Sequence, residues 1–233
     1  MSPIAKNLQH VQCQIAVSAE RAHRTPSSIQ LLAVSKTFGA DAVMAAVQVG
    51  QLAFGENYLQ EALEKIAAMK ALAPAAQLQW HFIGPIQSNK TRSIAESFDW
   101  VHSVDREKIA RRLSEQRPPE LGALNICLQV NISGEPSKSG LAPEELPAVA
   151  AQVAALPNLA LRGLMAIPAP SGDVARQRAA FAAVRGLYES LRAAGLPLDT
   201  LSMGMSADLE AAVAEGATIV RIGSAIFGAR NYV

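Results

Sequence analysis

Apolar positions along this chain follow two periods in turn. Ile4, Leu8, Val11 and Ile15 fall on one face at helical spacing, which predicts an amphipathic helix over residues 3–23. After Pro26 the pattern changes. Short apolar runs at 29–34, 51–54, 78–83, 100–101, 124–132, 159–165, 200–203 and 218–222 read as strands. Alanine-rich helical stretches separate them at 41–49, 59–72, 90–98, 106–116, 144–156, 174–194 and 207–214. A strand that is followed by a helix and then by another strand favours parallel pairing, because a parallel crossover needs an element of that length. Eight such strands predict an α/β fold of the (β/α)8 TIM-barrel type with an extra N-terminal helix, one domain over residues 1–233. An open doubly wound sheet is disfavoured, since no Gly-x-Gly-x-x-Gly turn follows the first strand.

Composition narrows the function. Half of the 233 residues are apolar, and the formal charge is +1 with acids and bases interspersed, so there is no basic block to grip nucleic acid or an anionic membrane. Two cysteines, Cys13 and Cys127, make no disulfide framework and no metal-ligand pattern. No stretch approaches the ~20 apolar residues of a spanning helix, and the first residues are polar instead of a secretory core. The expectation is a cytoplasmic protein with a small-molecule ligand.

The candidate chemistry gathers at the C-terminal ends of the strands, the active face of such barrels. Lys36 follows the first strand, Asn57 the second; His81 lies in the third, Met165 ends the sixth, Ser206 follows the seventh, and Arg221, Gly223 and Ser224 end the eighth. A lysine that attacks an aldehyde must first shed a proton held with a pKa near ~10.4, and burial or a neighbouring cation such as Arg221 lowers that value. The alternative is that Lys36 extends to the rim or pairs with Glu56. Gly223-Ser224 offers unobstructed N–H groups and a hydroxyl ahead of a short helical turn, a cradle for phosphate. Ser206 adds a second hydroxyl, or else caps the next helix. Arg221 suits the ring nitrogen of a pyridine, to which it can only donate; a rim salt bridge is its competitor. His81 is a ring contact or a satisfied core histidine, and Asn57 a ligand contact or a helix cap. A lysine with a phosphate cradle points to a phosphorylated aldehyde held as a Schiff base, with pyridoxal 5′-phosphate (PLP) the candidate.

Several segments carry a resemblance. They are Ala33-Val34-Ser35-Lys36-Thr37, Phe54-Gly55-Glu56-Asn57-Tyr58, the run from Trp80 to Lys90, Ser137-Lys138-Ser139-Gly140, Arg162-Gly163-Leu164-Met165, Ser202-Met203-Gly204-Met205-Ser206 and Val220-Arg221-Ile222-Gly223. In order and over nearly the whole chain they resemble the YggS/PROSC-type pyridoxal phosphate homeostasis protein family, which is similar to the N-terminal barrel of alanine racemases. The resemblance implies PLP bound through Lys36, a monomer, and a carrier or regulator of vitamin B6 and amino-acid pools with apo PLP enzymes as transient recipients. It assigns no catalytic reaction. Phe38-Gly39 depart from the family's basic or polar residue and proline, which leaves Lys138 as the remaining basic candidate near the mouth, a transient acceptor or a solvated loop lysine.

The rival reading is a small PLP enzyme such as an amino-acid racemase. That reaction needs a second acid/base opposite the lysine, and Tyr58, Tyr188 and Tyr232 are poorly placed for it along the sequence. The chain ends just after the barrel, where alanine racemases continue into another domain. A Schiff-base aldolase is the third reading, with Glu56 a thin proton network.

Overall fold

The computed structural model describes residues 2–135 and 138–229. Helix α1 (Pro3–Arg21) starts where Ser2 accepts a hydrogen bond from the Ala5 N–H and where Pro3, lacking an N–H, costs nothing. Its buried face, Ala5, Leu8, Val11, Ile15 and Ala19, follows the predicted stripe. Each fully buried leucine or valine there contributes about 1.5–3 kcal/mol. The Asn7 side-chain amide ties the helix to the Ile226 carbonyl at 2.9 Å.

Eight parallel strands follow: β1 (Gln30–Val34), β2 (Ala53–Glu56), β3 (Gln79–Phe82), β4 (Trp100–Val104), β5 (Leu124–Val130), β6 (Leu159–Ala166), β7 (Thr200–Ser202) and β8 (Ile219–Ile222). They close in chain order, with Leu32 of β1 opposite Arg221 of β8. The helices between them are α2 (Ala40–Val47), α3 (Leu59–Leu72), α4 (Thr91–Ser97), α5 (Glu107–Gln116), α6 (Leu146–Ala154), α7 (Val174–Ala193) and α8 (Leu209–Ala214). A last turn, α9 (Ser224–Phe227), follows β8. The predicted barrel is therefore present, its boundaries displaced by a few residues. The largest difference is β4, which extends beyond residue 101 through His102 and Ser103 to Val104.

Strand parity sorts the side chains. Ala33, Phe54, Phe82, Val101, Ile126, Leu164, Leu201 and Val220 pack with apolar helix residues in the outer core. Leu32, Ala53, Trp100, Cys127, Met165 and Ile219 form a second buried cluster within the barrel. Gly163 makes that closure possible, since a Cβ there would sit 1.7 Å from the Thr200 carbonyl oxygen. Among the described residues no helix is long and apolar enough to cross a membrane, and no group of three His, Cys, Asp or Glu is placed to hold a metal.

Candidate functional site

Lys36 stands half-buried in the turn that leaves β1, two residues past the strand. It lines a small cleft with Val34, Phe38, Gly223, Ser224 and Gly228. Closure of β1 on β8 thus places Lys36 beside the distant Gly-Ser turn. Gly223 packs closely on β1: a Cβ there would come 3.2 Å from the Val34 carbonyl oxygen, a tight contact. Ser224 is exposed as the first residue of α9, and Phe227 on that helix stacks on Phe38 with ring centroids 5.3 Å apart.

Arg221 lies two residues below Gly223 on β8 and is buried. Its guanidinium donates to the Ser202 carbonyl at 2.5 Å, the Ser202 hydroxyl at 2.8 Å and the Ala166 carbonyl at 2.9 Å. Those three bonds leave two of the five N–H directions of an arginine for a ligand. Burial draws its pKa down to about 10, so it stays protonated at neutral pH. The rim salt bridge considered from sequence is absent among the described residues.

A polar line runs inward from Arg221. Ser202 Oγ is 2.7 Å from His102 Nδ1, and His102 Nε2 is 2.9 Å from His81 Nδ1. Arginine can only donate, so the direction that leaves fewest groups unmet has Ser202 donate to His102 and His102 donate to His81. The line then ends on His81 Nε2, a fully buried atom with no partner among the described residues. Burial pulls His81 down to about 3, and burial first, then the His81 and Arg221 charges, drives His102 well below its ordinary value. Both rings are neutral at pH 7. His81 also stacks on Trp100, centroids 5.4 Å apart.

Asn57 follows β2, half-buried, and its Oδ1 has no partner among the described residues. It is not a helix cap, since Tyr58 occupies the N-cap position of α3 and makes no capping bond. Met165 is buried in the interior cluster and does not line the cleft. Ser206 sits on an exposed turn and lines a different surface groove, with His10, Cys13 and Arg21. Nor does Ser206 cap the next helix: α8 begins after Asp208, whose Oδ1 accepts from the Met205 N–H. Lys138 is ion-paired with Glu135 at 3.2 Å in the loop after β5. Ser137 of that motif and Tyr232 lie outside the described residues.

Glu56 overturns one alternative considered from sequence. It is fully buried and its carboxylate goes to Lys65 of α3 at 2.6 Å and the Ser35 hydroxyl at 2.6 Å. Phe54 and Glu56 share strand parity and face the helices, so Glu56 belongs outside the barrel and its ion pair is with Lys65. Burial pushes the Glu56 carboxyl up, against the pull of Lys65 and Ser35. Lys65 Nζ also reaches the Ser35 carbonyl at 2.9 Å and Glu61 at 2.9 Å.

A wider cleft at the opposite end of the barrel is lined by Gln30, Gln51 and Gln79 among others. Their amides cross-link backbone and one another, as in Gln51 to the Ala53 carbonyl at 2.7 Å and Gln30 to Gln79 at 3.2 Å. Among the described residues that end carries no such constellation.

Residues 7–231 match the family described as alanine racemase, N-terminal domain. A pyridoxal phosphate homeostasis protein of Pseudomonas aeruginosa is 62% identical over 232 residues, spanning 100% of this chain and 98% of that one. The chain belongs to the pyridoxal phosphate homeostasis protein family. Beside this family member stands PipY of Synechococcus elongatus, solved with PLP bound, which is 39% identical with a TM-score of 0.84 over 97% of this chain and 100% of its own. Alanine racemase from Corynebacterium glutamicum shares the fold alone with the family member, at 19% identity and a TM-score of 0.70, over 98% of this chain and 60% of that one.

Proposed function

We propose that this chain binds PLP at the C-terminal mouth of the barrel, covalently through Lys36 Nζ, and serves as a carrier or regulator in PLP homeostasis. The observation that carries the reading is the cleft shared by Lys36, Gly223 and Ser224. PLP supplies an aldehyde carbon that reacts reversibly with a primary amine, together with a phosphate dianion and a pyridine ring. The residues present fit those groups. Lys36 provides the amine, and the Gly223-Ser224 turn provides N–H groups and a hydroxyl for phosphate. Arg221, which can only donate, would meet the ring nitrogen with an N–H and so favour its unprotonated form. Asn57 Oδ1 and His81 Nε2, without hydrogen-bond partners among the described residues, are polar atoms available to meet a ligand at or below the mouth.

A racemase needs a second proton-transfer group at the cleft. Tyr58 is exposed and Tyr188 donates its hydroxyl to the Leu198 carbonyl on the outer ring, and neither lines the cleft; Tyr232 lies outside the described residues. The carrier reading is supported by the relatives, which are named as homeostasis proteins. It includes a cytoplasmic monomer that passes PLP to apo-enzymes.

The test is optical. Protein mixed with PLP should show a visible absorption band that borohydride bleaches and that Lys36→Ala abolishes. Protein that stays colourless and retains no PLP would sink the reading. A transfer assay from loaded protein to an apo-enzyme, with a trap for free PLP, separates a direct donor from a passive buffer.

A further inference from the structure

The turn that carries Lys36 is strained. Phe38 N–H returns to the Ser35 carbonyl at 3.1 Å, which makes Ser35–Phe38 a four-residue turn with Lys36 and Thr37 at its centre. Thr37 there has a φ of +70°. That region suits glycine, and a β-branched residue in it is an outlier whose cost other contacts must offset.

Helix α3 supplies those contacts. Glu61 Oε1 accepts the Thr37 N–H at 2.7 Å, on the C-terminal side of Lys36. Lys65 Nζ donates to the Ser35 carbonyl at 2.9 Å, on its N-terminal side. The two α3 residues are ion-paired to each other at 2.9 Å, and Lys65 is anchored from below by Glu56 at 2.6 Å. Both peptide groups flanking Lys36 are therefore gripped by one charged cluster on a neighbouring helix. Packing alone does not require it. A lysine buried to this degree costs desolvation that ion pairing commonly only offsets, and replacing the whole Glu56–Lys65 pair by apolar side chains of like volume would stabilise as well. What the charges add is direction, since they fix two particular backbone groups one residue either side of Lys36.

We infer that Glu61 and Lys65 are positioning residues for Lys36. They hold the Ser35–Phe38 turn in its strained form and so set where the Lys36 amine enters the cleft. This rests on the PLP reading above. Relaxation of Thr37 out of the left-handed region would rotate the Lys36–Thr37 peptide and swing the amine away from Gly223 and Ser224.

Strain makes the inference testable through glycine, which adopts that φ freely. The experiment measures release of PLP from loaded protein into an excess of trap, by loss of the visible band, with thermal unfolding recorded for every variant. Glu61→Ala should release PLP about tenfold faster than the unaltered protein, the scale of one strained backbone conformation. Glu61→Gln keeps an oxygen for the Thr37 N–H and should stay near the unaltered rate. In a Thr37→Gly background, Glu61→Ala should change release by roughly twofold or less. Lys65→Met should resemble Glu61→Ala if it folds, and the glycine pair decides the matter if it does not. Equal acceleration by Glu61→Ala in both backgrounds, or lowered thermal stability with release unchanged, would overturn the positioning role alone. Unaltered protein that takes up no PLP would overturn the binding reading and this inference with it.

Discussion

Arg221 grips Ser202 twice, through its carbonyl at 2.5 Å and its hydroxyl at 2.8 Å. The contact joins β7 to β8 within the barrel and starts the polar line that ends on His81. The Ser202 hydroxyl is its middle link. Ser202→Ala should leave His102 Nδ1 buried without a donor, at about 1–3 kcal/mol of stability. Urea unfolding of the two proteins measures this, and an unchanged midpoint would mean that the line carries no energy. Arg221→Gln probes the ring contact, since it removes the cation without setting a carboxylate against the Ser202 and Ala166 carbonyls. It should shift the visible band of PLP-loaded protein.

The buried histidines give stability a pH dependence of fixed sign. His81 has a native pKa of about 3 against an ordinary value of 6.5. Between those values the unfolded chain binds a proton that the native state refuses, so stability rises with pH across the window. Unfolding free energy should therefore fall as pH drops from about 6.5 towards about 3, by on the order of a few kcal/mol, with His102 adding in the same direction. His81→Gln should flatten that slope. Glu56, its carboxyl pushed up by burial, contributes with the opposite sign, so the decisive comparison is between the two proteins: a pH 4 to 6 slope that His81→Gln leaves unchanged would refute the burial of a neutral ring.

Gly84 controls Asn57. A Cβ on Gly84 would lie 2.2 Å from the Asn57 carbonyl oxygen and 2.8 Å from its Cα. Gly84→Ala must push the loop after β2 away, at a cost of about 1–3 kcal/mol, and it should weaken PLP retention more than Asn57→Ala does. Equilibrium dialysis against PLP compares the two variants. Equal retention by Gly84→Ala and the unaltered protein would show that this loop does not bear on the ligand.

Breaking the outer ion pair should be severe. Lys65→Met leaves the Glu56 carboxyl buried at 0% exposure with only Ser35 for company, which predicts a loss of about 3–5 kcal/mol. Adding Glu56→Gln should recover part of it, because the charge is then gone. Chemical denaturation of the single and double variants gives the comparison, and a double variant no better than the single one would contradict the assignment.

The order of elements was legible because apolar runs of strand length alternate with helical ones, and this was enough for the barrel. Lys36, Gly223 and Ser224 were legible as strand-end residues, and the closed barrel does gather them in one cleft. His102 was not. The predicted strand stopped at Val101 because the apolar run breaks at His102-Ser103, yet the backbone stays extended to Val104. Parity would have found it, since His102 stands two residues beyond the inward-facing Trp100. The Glu61–Lys65 pair follows the four-residue helical rule, whereas no local rule links Glu56 to Lys65 across β2 and α3.

The sequence by itself determined the alternation of strands and helices, the lysine at the first strand's end and the glycine-serine turn at the last. Each of these is written in neighbouring residues and their period. Only the tertiary structure decided which neighbours those groups acquire. Closure of β1 on β8 brought Lys36 to Gly223, and strand parity turned Glu56 outward to Lys65 while turning Arg221 inward to Ser202. These pairings depend on register and on which face is buried, and both are fixed by the closed sheet as a whole.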